Sequence, residues 1–161
     1  MPSAAGDELI DELDYPMFIV TASAGDERAG CLVGFATQCS IDPLRFLVCL
    51  SDKNRTFRVA QRAEVLAVHL VSEEAEWLAE LFGSQTGDKV DKFSRCSWTP
   101  GPGGTPVLDD CRNWFVGRIL KREPVGDHWA FLLEPMRGEG DASESAVMFH
   151  EVQWLEPGHE A

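Results

Sequence analysis

Residues 29–56 read AGCLVGFATQCSIDPLRFLVCLSDKNRT, and this stretch decides the fold. An apolar, glycine-containing run predicts a strand over Ala29–Thr37, giving way to small and polar residues at its end. Ser40-Ile41-Asp42-Pro43 then supplies corner chemistry, because Asp and Pro preset turn geometry. Leu44–Leu50 is nearly all apolar, as a strand buried on both faces would be. It runs straight into Ser51-Asp52-Lys53-Asn54-Arg55-Thr56. Cations, an amide and hydroxyls thus stand at the mouth of two buried strands, a set suited to an anionic, partly aromatic ligand.

Working outward, Tyr15–Ser23 is rich in β-forming residues, and Ala24-Gly25-Asp26-Glu27-Arg28 makes it a hairpin with the next strand. After the basic loop come a helix over Lys53–Arg62 and a strand over Val65–Val71. Ser72 is placed to cap a helix over Glu73–Phe82, with Trp77, Leu78, Leu81 and Phe82 on one face and Gly83 as its stop. Residues 84–109 read as irregular. Cys111–Arg122 and Trp129–Glu134 read as strands joined through residues 124–128, and Val147–Leu155 as a closing strand. About seven strands and two or three short helices make a mainly β fold, a closed antiparallel barrel decorated by helices. No repeat or internal linker divides it: an acidic lead-in at 1–14, with a short helix at Leu9–Leu13, precedes one domain over 15–156 and a tail at 157–161.

A chain of 161 residues with net charge −13 has no general affinity for nucleic acid or an anionic membrane surface. No apolar run approaches the roughly 18 residues of a membrane-spanning helix. The acidic start (Asp7, Glu8, Asp11, Glu12, Asp14) is the reverse of a targeting peptide, so a cytoplasmic protein is expected. Cys31, Cys39, Cys49, Cys96 and Cys111 are odd in number and form no C-x-x-C pair, which favours buried free thiols over disulfides or zinc. His69, His128, His150 and His159 lack metal-ligand spacing, so no metal site is expected. His69, within an apolar strand, reads as a core histidine. Asp109-Asp110 reads as a turn. Nucleophile-elbow, zincin and phosphate-loop motifs are all missing from the chain.

Two features carry chemistry, each with a plain alternative. Lys53, Arg55, Arg58 and Arg62 place four of the 14 cations within ten residues. They suit a phosphate, or equally a solvated helix face balanced by nearby carboxylates. Gly34 lets a flat ring or another backbone approach closely, or merely kinks the strand. Thr37, Gln38 and Ser40 offer hydrogen bonds to a polar ring edge or satisfy the corner itself. Gly126-Asp127-His128 is turn chemistry that leaves an imidazole within reach of a ligand.

Taken together these residues resemble the flavin reductases of the FMN-binding split-barrel type. The resemblance lies in residues 29–43, in Leu44–Leu50 with Asn54-Arg55-Thr56, in Val65–Ser72 with Trp77–Phe82, in Gly126-Asp127-His128, and in Met148-Phe149-His150 as the closing strand. It implies a split β-barrel with Greek-key connections, a homodimer, and hydride transfer from NADH or NADPH to FMN or FAD, which is then supplied to a monooxygenase. It assigns Cys31, Leu32, Val33, Gly34, Phe35, Ala36, Thr37 and Gln38 to the isoalloxazine. Ser51, Asp52, Lys53, Asn54, Arg55 and Thr56 fall to the ribityl phosphate, and His128 lies near the nicotinamide, orienting it without transferring protons. Leu32, Gly34 and Phe35 stand where relatives carry hydroxyls, and His69 where an Asn is usual. A carrier of flavin, deazaflavin or haem without turnover is the second reading, and a cofactor-free module using the acidic surface the third.

Overall fold

The computed structural model describes residues 4–84 and 90–156. Its strands are β1 (Phe18–Ala24), β2 (Glu27–Val33), β3 (Ala36–Ser40), β4 (Arg45–Ser51), β5 (Val65–Leu70), β6 (Trp98–Pro100), β7 (Pro106–Leu108), β8 (Asn113–Pro124) and β9 (His128–Glu139). The helices are α1 (Ala4–Glu12), α2 (Arg55–Ala60), α3 (Glu76–Ser84) and α4 (Phe149–Val152). Seven strands form one antiparallel sheet in the order β2-β1-β5-β8-β9-β4-β3, and β6-β7 form a separate hairpin.

The outermost strands of that sheet, β2 and β3, are consecutive in the chain and joined only by Gly34 and Phe35. Three Cα steps hold Val33 and Ala36 within about 11 Å of each other. The sheet must therefore curl until its two ends meet. Among the described residues no ladder joins β2 to β3, so the backbone pairing that would close the expected barrel is not seen. The strand expected over Ala29–Thr37 is in fact broken at Gly34-Phe35, the link between the two edges.

Alternation along the strands separates two cores. Val20 and Ala22 of β1, Leu66 and Val68 of β5, Val48 and Leu50 of β4, and Phe131 and Leu133 of β9 pack inside the curled sheet with Val59 and Ala60 of α2. Ile19 instead faces outward, into a second layer with Leu78, Ala79 and Phe82 of α3, Phe93, Leu108 and Val152. The α2 helix is shorter than its expected span because Asn54 caps it, accepting from the Thr56 N–H at 2.9 Å. Its other end is closed by Arg122, whose guanidinium donates to the Ala60 carbonyl at 3.1 Å and to that of Ala63.

Several expectations are corrected. The N-terminal helix covers Ala4–Glu12, earlier than Leu9–Leu13, and the first strand begins at Phe18. β4 is not buried evenly on both faces: Val48 and Leu50 point inward with half-buried Phe46 beside them, while Leu47 and Cys49 on the other face are half-buried. Ser72 makes no side-chain cap, and its segment opens as a short 3₁₀ turn over Glu73–Ala75 before α3. α3 runs through Gly83, whose lack of a Cβ lets Leu32 lie against it, and Trp77 faces outward at 45% exposure. The irregular region contains the β6-β7 hairpin. Val147–Leu155 forms no strand: Val147 bonds to the backbone of Met17 and Val71, and the chain then turns into α4. Residues 1–3 and 157–161, parts of the expected lead-in and tail, lie outside the described residues.

His69 does what a core histidine should. Its Nδ1 bonds the Ile19 carbonyl at 2.9 Å and its Nε2 accepts from the Leu108 N–H at 3.0 Å, which ties β1, β5 and β7 together. All five cysteines are free thiols, and Cys31 and Cys111 are buried.

Candidate functional site

A cavity of about 260 Å³ opens where the β2–β3 link passes the end of β4. One wall is Cys31, Leu32, Val33, Gly34 and Phe35, and the facing wall is Cys49, Leu50, Ser51 and Asn54. α3 and the segment after it contribute Phe82, Gly83 and Lys92, and the C-terminal segment adds Phe149, Val152 and Gln153. Tyr15, Gly34, Phe35, Cys49, Phe149 and Gln153 also border an apolar groove of about 950 Å³ that continues past Ala36, Thr37 and Gln38.

The mouth is aromatic. Tyr15 and Phe149 stack at 4.9 Å and 16°, Phe35 lies 6.1 Å from Tyr15, and His128 lies 5.2 Å from Phe35. His128 begins β9 directly across from Ser51, so the ladder itself brings the turn residue to the polar loop. The Asp52 N–H also bonds the Asp127 carbonyl at 3.0 Å, fastening the loop to the turn. Asp127 Oδ1 sits 2.7 Å from His128 Nδ1, and this hydrogen bond holds the Asp127 carboxyl below its usual range. The ionised carboxylate can only accept, so the Nδ1–H donates and the ring is held in orientation.

The ring expected over Gly34 is already there, and it belongs to the protein. A Cβ at Gly34 would collide with the edge of Tyr15 and sit 3.3 Å from the Met17 sulfur. A planar ligand would therefore meet Tyr15 at this glycine.

The basic run is divided. Arg55 donates to the Arg28 carbonyl at 2.5 Å and lies 3.4 Å from Glu27, which Arg62 also engages at 2.9 Å. Arg55 thus borders a separate cleft with Arg28, Asp91 and Lys92, and Arg55 and Arg62 both engage the Glu27 carboxylate. Thr56 is buried beneath the cap. Asp52 and Lys53 are exposed, and neither lines the cavity. Thr37 Oγ1 bonds the Gln38 carbonyl at 3.1 Å and the Gln38 amide that of Ser40 at 3.2 Å, so both serve the corner.

Sequence reasoning missed Tyr15, Phe82, Lys92, Phe149 and Val152. Lys92 gave no signal at all, being a lysine in a segment without periodicity. It is 5% exposed, and its Nζ donates to the carbonyls of Gly30 at 2.9 Å and Phe82 at 3.0 Å. Burial pushes its amine below the ordinary lysine value, and burial likewise pushes the neighbouring Cys31 thiol up, against the pull of Lys92, Thr56 and Asn54. Among the described residues no cluster has the makings of a metal site, and none of the helices is long and apolar enough to cross a membrane.

A cavity with an apolar wall, a ring-lined mouth and a hydroxyl, an amide and a buried cation fits a flat anionic cofactor. The model of the flavin reductase like domain family matches residues 10–154. The chain belongs to that family. It is 32% identical over 110 residues to the FMN reductase (NADH) RutF of Bradyrhizobium diazoefficiens, covering 68% of this chain and 61% of that protein. It is 30% identical over 104 residues to HsaB, reductase subunit of a flavin-dependent monooxygenase of Rhodococcus jostii, covering 62% of this chain and 52% of HsaB. The chain therefore spans between half and two thirds of the length of these two curated relatives. The NADH:FAD oxidoreductase SgcE6 of Streptomyces globisporus C-1027 has the same fold, with a TM-score of 0.81 at 20% identity over 92% of this chain and 91% of its own.

Proposed function

We propose that this protein is an NAD(P)H-dependent flavin reductase that moves hydride from a nicotinamide to FMN or FAD and passes the reduced flavin to a monooxygenase. The observation that carries this reading is the cavity framed by the β2–β3 link, the end of β4 and His128. Flavin chemistry asks for no acid–base couple, because the cofactor itself accepts the hydride. The chain's own task is to bind, orient and exclude water.

Leu32, Val33 and Phe35 supply the apolar surface for the isoalloxazine, and Ser51 and Asn54 supply donors to the ribityl phosphate. Phe35 and His128 flank the opening where a nicotinamide enters, and Asp127 fixes the imidazole. The groove beside that opening, with Ile10 at 63%, Leu13 at 48% and Phe35 at 53% exposure, supports pairing of two copies as a homodimer.

The test is NADH and NADPH oxidation by the purified protein with added FMN or FAD, followed at the nicotinamide band. Turnover with either pair is expected. Bound flavin without turnover would move the protein to a carrier, and haem alone in its spectrum would overturn the reading. His128→Ala should lower kcat/KM by roughly ten- to a hundredfold, a positioning effect, with flavin affinity little changed. An equal fall in flavin affinity would place His128 in flavin binding instead.

A further inference from the structure

Lys92 combines three properties seldom found together in a lysine. It is almost fully buried, it lines the cavity, and among the described residues no carboxylate contacts its ammonium. An ammonium has three donors, and two are taken by the carbonyls of Gly30 and Phe82. Carbonyls satisfy hydrogen bonds but leave the charge uncompensated, and a buried charge without a counter-charge is costly.

Its position is fixed from several sides. Asp91 caps its short turn by accepting from the Phe93 N–H at 3.1 Å, and Phe93 packs edge-on against Phe82 at 5.6 Å. Its Nζ stands 5.5 Å from the centre of the Phe82 ring. Cys31 follows Gly30, whose carbonyl holds the ammonium, and it lines the cavity with Ser51 and Asn54. Lys92 thus lines the same cavity as Ser51 and Asn54.

We infer that Lys92 is an anion-binding residue of the site, its ammonium taking the phosphoryl group of the bound flavin nucleotide together with Ser51 and Asn54. This rests on the flavin reading above and adds a residue that neither the motifs nor the resemblance assigned. The phosphoryl group supplies the missing counter-charge, and the third N–H gains an acceptor. The basic run that the sequence offered for this role is spent in part on Glu27, while Lys92, which also borders the cleft beside Arg55, is buried and lines the cavity.

The test compares FMN with riboflavin, which differ only by the phosphoryl group, by flavin fluorescence quenching on wild type, Lys92→Met and Lys92→Gln. Wild type should bind FMN more tightly than riboflavin. Lys92→Met should weaken FMN by roughly ten- to a hundredfold, the size of one charge-assisted hydrogen bond, and leave riboflavin within about twofold. Lys92→Gln keeps amide donors for the two carbonyls and carries the test should the Met variant not fold. Equal weakening of both flavins, or of neither, would overturn the inference, as would equal wild-type affinity for the two. Failure of the wild type to bind either flavin would instead overturn the proposed function.

Discussion

His69 and Lys92 are both basic side chains buried against the sheet, and they are held in opposite ways. His69 has nothing left to give: one ring nitrogen donates to Ile19, the other accepts from Leu108, and the ring is neutral because burial lowers its pKa to about 4. Lys92 spends two of its ammonium's three donors on carbonyls of the described residues, and it lines a cavity. A saturated polar group in a core is a fastening between strands. An unsaturated one at a cavity wall is a place for a ligand, and the contrast can be broken by experiment.

The largest effect should come from His69→Ala. It removes a buried ring and strands the Leu108 N–H, so a loss of about 3–5 kcal/mol is expected, read as a lower urea midpoint at unchanged slope. Flavin affinity of the folded protein should stay the same. If affinity falls with stability, His69 is coupled to the site and the two residues are not opposites.

Acid should reproduce much of that loss without a mutation. The native value for His69 of about 4 lies below the ordinary 6.5, so between these values the unfolded chain binds a proton that the native state refuses. Stability then falls as pH drops from 6.5 to 4, by on the order of 3 kcal/mol, and flattens below. Urea titrations of wild type across that window should show the slope, and His69→Asn should lack this contribution. The same slope in the variant would assign the acid sensitivity to other groups.

How far the sequence revealed these two roles follows from what each depends on. His69 was legible because an apolar strand surrounds it, and periodicity registers such neighbours. The paired strands and the β8–β9 hairpin were legible for the same reason, whereas residues 31–35, Ser51 and Asn54 of the cavity wall were assigned only through the family resemblance. The break at Gly34-Phe35 was not legible, because a link that joins opposite edges of a sheet reads locally as one continuous strand. α4 was misread because Val147, Phe149 and Val152 are good strand formers, and its departure from the backbone of Met17 and Val71 is settled by tertiary contact. Lys92 was beyond reach, since its burial comes from the carbonyls of Gly30 and Phe82, far away in the chain or on another element.

Gly34→Ala tests the mouth that lies between the two regions. The new methyl must displace Tyr15, at a cost of about 1–3 kcal/mol, and Tyr15→Ala in the same chain should recover part of it. The coupling would be read from a double-mutant cycle on thermal unfolding. Additive losses would mean that the Tyr15 ring is free to leave Gly34.

The smallest stability effect should come from Lys92→Met, although its effect on FMN binding is large. The substitution leaves the Gly30 and Phe82 carbonyls without their donor, which destabilises. It also ends the desolvation of an uncompensated ammonium, which stabilises by a similar amount, so the net change near neutral pH should stay within about 1 kcal/mol. Alkaline conditions separate the two terms. Because the native amine titrates below its ordinary 10.5, the native state holds fewer protons than the unfolded chain between those values. Wild type should therefore gain stability as pH rises through that window, and Lys92→Met should lack the gain. A loss near neutrality as large as that of His69→Ala would mean that Lys92 is also a fastening, its place on the cavity wall incidental, and the contrast between the two residues would be lost.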